Sequence, residues 1–521
     1  MYKEKNMNRA KRFAVFFSLL LLCCTDMAMA NEKVQAVAKY AAIPVLKGMP
    51  HNPVLQVAVS VPAGYGMQQY RAAQCRISPD IINDIAQVDV FVTGAGPFSA
   101  DSLLASVQPA ANMRIPFSLQ ARPGVQFIWF SIVLKPTAGI DEKLLFECIS
   151  LEPDNGKNLP VIQKEKRKEL RTGIAVRRKD DDQVHTYRIP GIVQTDKGTL
   201  IAVYDIRYLN TRDLPGHIDA GMSRSTDNGK TWEPMKIIMD MGAPHENNGV
   251  GDPAILFDPH TKKIWVAALW SKGNRSIAGS KPGISSDTTG QFVLVSSDDD
   301  GLSWSAPYTI TPQVKKPGWH LFFNGPGSGI AMQDGKLVFA AQYWDEKRMP
   351  WSTIIYSDDQ GRSWKGNIHG PKSNTTESQV VETVPGTLML NMRDNRGGYR
   401  SVATTSDMGQ TWTEHTTSYQ ALPDPVCMGS IIKAKVNVKG KLREVLFFSN
   451  PNTSSGRYNI TVKASLDNGA TWLPAHQLLV DERECYGYSS LTAIDDKTIG
   501  LLYEGVRDLY FVKIPVADII K

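Results

Sequence analysis

Hydrophobic positions in the first third of the chain fall in short runs cut by turn residues. Val54–Pro62 (VLQVAVSVP), Ala86–Gly94 (AQVDVFVTG), Val125–Leu134 (VQFIWFSIVL) and Leu144–Pro153 (LLFECISLEP) are apolar stretches bounded by Gly and Pro, with period-two alternation in places. That period puts successive side chains on opposite faces of a strand. Residues 31–160 are therefore expected to form a β-sandwich.

A different pattern takes over further on. The sequence Ser/Thr-x-Asp-x-Gly-x-Ser/Thr-Trp occurs five times, ending at Trp232, Trp304, Trp364, Trp412 and Trp472, with spacings of 72, 60, 48 and 60 residues. Repetition at blade length is the mark of a β-propeller. Residues 174–521 divided by about 60 residues per blade give about six blades. The expected fold is all-β, a six-bladed propeller preceded by the sandwich, with the closing blade lacking the motif. The charged run Gln163–Gly173 (QKEKRKELRTG) reads as a solvated connection, placed at 161–173.

The motif itself is structural. Asp-x-Gly is a tight-turn sequence: the Asp side chain accepts backbone N–H groups and Gly supplies a positive φ. Trp then packs its ring between sheets. Asp227, Asp299, Asp359, Asp407 and Asp467 are accordingly left out of the candidate site. Asp298–Gly301 (DDDG) has the look of a calcium loop but lacks the twelve-residue ligand pattern.

Composition changes this picture little. The 521 residues are 42% hydrophobic and 21% charged with a net charge of +6, part of which lies in the first twelve residues, so no nucleic-acid partner is indicated. Residues 1–30 read as a secretory signal: five Lys and Arg among the first twelve residues, an apolar core Phe13–Cys24 too short to span a bilayer, and Ala28-Met29-Ala30 as a cleavage pattern. Export to a periplasmic, cell-surface or secreted location follows as an expectation, with no membrane span and a monomer favoured. No good lipobox precedes Cys23 or Cys24. Export permits disulfides, and for Cys75 and Cys148 both a disulfide and buried free thiols stay open.

Candidate chemistry lies between the repeats, in YRIPGIV (Tyr187–Val193), DIRYLNTRDLPG (Asp205–Gly216), Thr376–Arg400 with NMRDNRGGYR at its end, YGYSSLT (Tyr486–Thr492) and LLYEG (Leu501–Gly505). YRIP followed by five Asp-boxes resembles the sialidase (neuraminidase) superfamily, and within it the bacterial exo-α-sialidases of glycoside hydrolase family 33. The resemblance runs over Val176–Ile514. It implies release of terminal sialic acids from glycoproteins, glycolipids and oligosaccharides with retention, through a tyrosyl intermediate, without metal or organic cofactor. Transfer or an intramolecular reaction on the same fold, and a non-catalytic glycan-binding propeller, are the alternatives. For the sandwich, a carbohydrate-binding module and a plain brace both stay open.

The resemblance also assigns residues. Arg188, Arg393 and Arg457 form a triad for the substrate carboxylate, which suits the bidentate guanidinium fork, and Glu504 holds the first of them. Tyr488 is the nucleophile and Glu377 its base; a neutral phenol avoids the repulsion a carboxylate would meet at an anomeric carbon already bearing one. Asp213 is the proton donor, its pKa expected to be raised by closure and a neighbouring carboxylate. Arg207 and Asp252 bind the sugar on its 4-hydroxyl side. Tyr486 rivals Tyr488, Glu382 rivals Glu377, and Asp219 rivals Asp213, while Asp205 reads as structural. Trp270 is nominated for the N-acetyl pocket or for the core.

Overall fold

The computed structural model describes residues 33–273, 275–366 and 368–521, so the expected signal lies outside the described residues. The chain divides into two units. The first comprises residues 33–41, 49–138 and 142–170, and the second residues 42–48, 139–141 and 171–521.

The first unit is one continuous path of nine strands, a barrel-like sandwich. Asn112–Ala121 alternates exposed and buried at every position, the period-two pattern of a strand with one wet face. Gln35–Lys39 pairs in parallel with Leu159–Gln163, tying the two ends of the unit together. Cys75 and Cys148 are directly opposed on antiparallel strands, and both are free buried thiols. Burial and the neighbouring Cys148 push the Cys75 thiol well above its ordinary value.

The second unit is a six-bladed propeller. In the first blade the strands Thr186–Gln194, Leu200–Arg207, Ile218–Ser225 and Lys236–Met239 run from the axis outward. The inner strands of the second, fourth, fifth and sixth blades are Val250–Phe257, Thr375–Val384, Ser430–Val438 and Ser489–Ala493. In the third blade the inner strand is broken into Leu321–Asn324 and Ile330–Ala331, both paired with Leu337–Trp344. The last blade is closed from the other end of the chain: Leu170–Arg177 pairs antiparallel with Leu509–Pro515. Its outer strand thus precedes the propeller in sequence, which is why this blade has no box.

Two boundaries move from their expected places. The strands Leu159–Gln163 and Leu170–Arg177 take up most of 161–173, leaving only 164–169 outside a strand. Val45–Lys47, from within the expected sandwich, pairs in parallel with Thr172–Ile174 and adds a strand to the closing blade.

Each box follows the third strand of its blade and leads to a fourth, which in the third blade is reduced to a single bridge between Tyr356 and Lys365. In the third box Ser357 Oγ donates to Asp359 Oδ1 at 2.8 Å, and Asp359 accepts the Ser363 N–H at 2.9 Å and its hydroxyl at 2.6 Å. Gln360 and Gly361 both take positive φ, 62° and 81°. A Cβ on Gly361 would lie 2.2 Å from the Trp265 ring, so conformation and space both require glycine there. The box Trp residues pack at the seams between blades: Trp232 against Phe511 of the closing blade, Trp364 against Trp265 of the second blade and Phe339 of its own, and Trp472 against Phe448 of its own. These rings help fill the apolar seams between blades.

Candidate active site

The inner strands all begin at one end of the propeller axis, and three are deformed at that end. Strand register shifts between Arg188 and Gly191, between Gly251 and Ala254, and between Thr375 and Ser378. Bulges of this kind re-aim side chains. They coincide with Arg188, Asp252 and Glu377, and Ile189 and Asp252 adopt φ of 57° and 58°. Tyr488 directly precedes the sixth inner strand.

These residues meet in a cleft of about 230 Å³. Arg188, Asp213, Asp252, Glu377, Arg393, Arg457 and Tyr488 line it, and Ile277, Phe323, Trp344 and Gln342 contribute to its wall. Arg207 and Glu504, the other two predicted residues, lie behind that lining.

At the centre, the Tyr488 phenol is 4% exposed and donates to Glu377 Oε1 and Oε2 at 2.6 and 2.5 Å. Arg393 donates through one terminal nitrogen to Glu377 Oε2 at 2.6 Å and to the phenol oxygen at 2.9 Å. The guanidinium groups of Arg188 and Arg457 lie 5.1 and 5.6 Å from the Tyr488 ring centroid. Burial, then the Glu377 charge, push the phenol well above its ordinary value, and Arg393 and Arg188 only partly oppose them. The resting group is a neutral phenol.

Glu504 organises this from beneath. It is fully buried and accepts from Arg188 Nε at 3.0 Å, from the Ile189 N–H at 2.9 Å and from the Tyr488 N–H at 2.9 Å. One carboxylate thus orients the Arg188 guanidinium and the Tyr488 backbone together. Arg457 is held by two backbone carbonyls, Tyr486 at 2.8 Å and Val426 at 3.1 Å. Three guanidinium groups directed at one cleft make it an anion site.

Asp213 stands on the loop between the second and third strands of the first blade, its side chain 68% exposed. Arg207 NH1 contacts it at 2.8 Å and Arg188 at 3.7 Å. Partial burial pushes the carboxyl up, but Arg207 and Arg188 outweigh it and the net displacement is downward. The nearest charges to Asp213 are arginines, not a carboxylate. Arg207 spends its other donors on Asp205, at 2.8 and 3.0 Å, and on the Thr211 carbonyl at 2.8 Å, so it braces the loop bearing Asp213. Asp252 donates its N–H to Asp205 Oδ1 at 2.8 Å. Burial, then Asp205, Glu377 and Asp213, raise the Asp252 carboxyl well above the usual range.

The rivals lie elsewhere or do other work. Tyr486 places its ring 5.0 Å from the Arg188 guanidinium. The positive φ of Gly487, 93°, turns the chain between the two tyrosines. Glu382 sits further along its strand and accepts the N–H groups of Gln333 and Gly386. Asp219 accepts the Tyr208 hydroxyl at 3.0 Å, and Asp205 is buried beneath the cleft. Trp270 packs in the seam between the first two blades. The cleft's apolar wall is instead Ile277, Phe323 and Trp344, which carry no sequence signature.

No group of three or more His, Cys, Asp or Glu suited to a metal ion occurs among the described residues, Asp298–Gly301 included. Among the described residues no helix is long and apolar enough to cross a membrane.

Comparison with known proteins identifies the family. The BNR repeat-like domain family matches residues 189–502. A sialidase of Bacteroides fragilis is 50% identical over 409 residues, covering 77% of this chain and 75% of that protein. A sialidase of Micromonospora viridifaciens is 35% identical over 337 residues, 62% of this chain and 50% of that one. The solved structure of a Hadza microbial sialidase superposes with a TM-score of 0.87 at 39% identity, over 93% of this chain and all of the other.

Proposed function

The chain belongs to the sialidase family of glycoside hydrolases, and from that premise we propose that it hydrolyses terminal α-linked sialic acids with retention, through an adduct on Tyr488. The observation that carries this reading is the buried contact of Tyr488 with both Glu377 oxygens and with Arg393. A phenol so placed can lose its proton to Glu377 as its oxygen is consumed in bond formation.

Arg188, Arg393 and Arg457 bind the substrate carboxylate. Two of them already hold carboxylates in the resting cleft: Arg188 holds Glu504 and approaches Asp213, and Arg393 holds Glu377. A substrate carboxylate competing for Arg188 weakens the charge that keeps Asp213 low, so substrate binding itself favours the protonated acid. Asp213 then gives its proton to the glycosidic oxygen as the bond from that oxygen to the anomeric carbon breaks. The phenol oxygen bonds to the anomeric carbon and Glu377 takes the phenolic proton. In the second half, water attacks the anomeric carbon, Asp213 accepts the water's proton, and the tyrosyl oxygen leaves and recovers its proton from Glu377. Both steps move protons over hydrogen-bond distances beside fixed arginine charge.

The apolar wall of Ile277, Phe323 and Trp344 suits an uncharged substituent such as an N-acetyl group. The exposure of Asp213 leaves a path for water, which supports hydrolysis over an intramolecular outcome. Proton NMR of a fluorogenic α-sialoside digest tests this. Free sialic acid appearing first as the α-anomer is expected. A first-formed β-anomer, or an anhydro product, would overturn it.

A further inference from the structure

We propose that Arg400 is a positioning residue for the reaction, acting through the Val426–Cys427 turn on Arg457. This rests on the reading of Arg457 as a substrate-binding arginine.

Arg400 is the last residue of the NMRDNRGGYR segment and a fourth arginine near the cleft, but it is fully buried and takes no part in the lining. Its Nε donates to Asn391 Oδ1 at 2.7 Å and one terminal nitrogen donates to the Asn391 carbonyl at 3.0 Å. The other terminal nitrogen donates to the Cys427 carbonyl and lies 3.5 Å from Asp424 Oδ2. Asp424 is also fully buried and accepts the Cys427 N–H at 3.2 Å. The peptide groups of Cys427 are thus held on both sides by one buried ion pair.

The residue before it makes that hold consequential. Val426 adopts φ of 58°, a left-handed conformation that a β-branched side chain disfavours and that persists only where surroundings impose it. Its carbonyl accepts from Arg457 NH2. On the far side, Cys427 Sγ and the Arg457 Cδ lie 3.0 and 3.2 Å from where a Cβ on Gly487 would stand, beside the nucleophile. Arg400 and Asp424 therefore impose a strained turn, and that turn fixes one of the two carbonyls from which Arg457 hangs. A buried charge pair is expensive to keep for stability alone, and here its donors end on the backbone that aims a substrate-binding group.

Arg400→Lys keeps a charge for Asp424 but cannot bridge Asn391 and Cys427 together. Asp424→Asn keeps an acceptor for the Cys427 N–H and removes the charge. Steady-state kinetics on an aryl α-sialoside are measured for both, for Arg457→Lys and for the Arg400→Lys/Arg457→Lys double variant, with thermal midpoints. The expected result is KM raised about 10-fold with kcat changed less than about threefold, and a double variant no worse than Arg457→Lys alone. A lowered thermal midpoint with unchanged KM, additive effects in the double variant, or failure of both single variants to fold would make the pair structural and overturn the proposal. An unchanged KM in Arg457→Lys would instead overturn the reading of Arg457.

Discussion

The phenol oxygen of Tyr488 sits between the two oxygens of Glu377, 2.6 and 2.5 Å away, although 111 residues separate them in sequence. The inner strands of the fourth and sixth blades start at the same end of the axis, and that shared origin is what brings the pair together. Because burial keeps the phenol protonated at rest, the proposed reaction depends on a base within reach. Glu377→Gln retains shape and loses basicity. It is expected to lower kcat by about 10²- to 10⁴-fold with little change in KM, read by steady-state kinetics.

As the proposed proton donor, Asp213 should matter in proportion to how poorly the aglycone leaves. Asp213→Asn should cost at least about 10-fold more in kcat/KM on an alkyl or glycosyl sialoside than on an aryl sialoside whose phenolate departs unaided. Equal losses on both would show that the loop carboxylate positions the sugar without donating a proton.

The Asp-boxes should matter to stability and not to turnover. Gly361→Ala forces a Cβ into the Trp265 ring at a φ of 81°, whereas Gly386, at a φ of 77°, has open space around it. Chemical denaturation is expected to show Gly361→Ala as the costlier substitution, with Gly386→Ala near 1 kcal/mol. Activity per folded molecule should match wild type in both.

Much of this scaffold is local and so was legible in the sequence. The box Asp, Gly and Trp do their work within eight residues and against one neighbouring seam. Alternating runs such as Asn112–Ala121 mark a half-buried strand wherever they occur. Glu377, Arg393 and Tyr488 were found through motif resemblance, and the structure brings them within hydrogen-bond distance of one another. What was not legible depends on distant partners. Val45–Lys47 is too short to signal a strand until Thr172–Ile174 lies beside it. Ile277, Phe323 and Trp344 are ordinary apolar residues until three segments converge. Arg400 looked like the end of a motif, because a guanidinium shows its role only through the carbonyls it reaches. The downward shift of Asp213 was not legible because it depends on two arginines that the fold places nearest to the loop.

Asp219 gives a pH signature separate from catalysis. Burial, then Asp240, raise its carboxyl to about 6, against about 3.9 in an unfolded chain. An acid raised in the folded state favours folding while protonated. That contribution is complete below pH ~4 and is lost as pH rises through about 6. Asp219→Asn should therefore be more stable than wild type at pH 8, by up to about 2 kcal/mol, and no more stable at pH 4. Urea denaturation at the two pH values reads the difference.

The most direct test is covalent trapping with 2,3-difluorosialic acid. Fluoride leaves from the anomeric carbon as the enzyme attacks, and the remaining fluorine slows hydrolysis of the adduct. Intact-mass spectrometry should show the gain of one fluorosialosyl group, peptide mapping should place it on Tyr488, and Tyr488→Phe should stay unlabelled. Labelling at another residue, or an unmodified wild-type protein that still cleaves α-sialosides, would contradict catalysis through Tyr488.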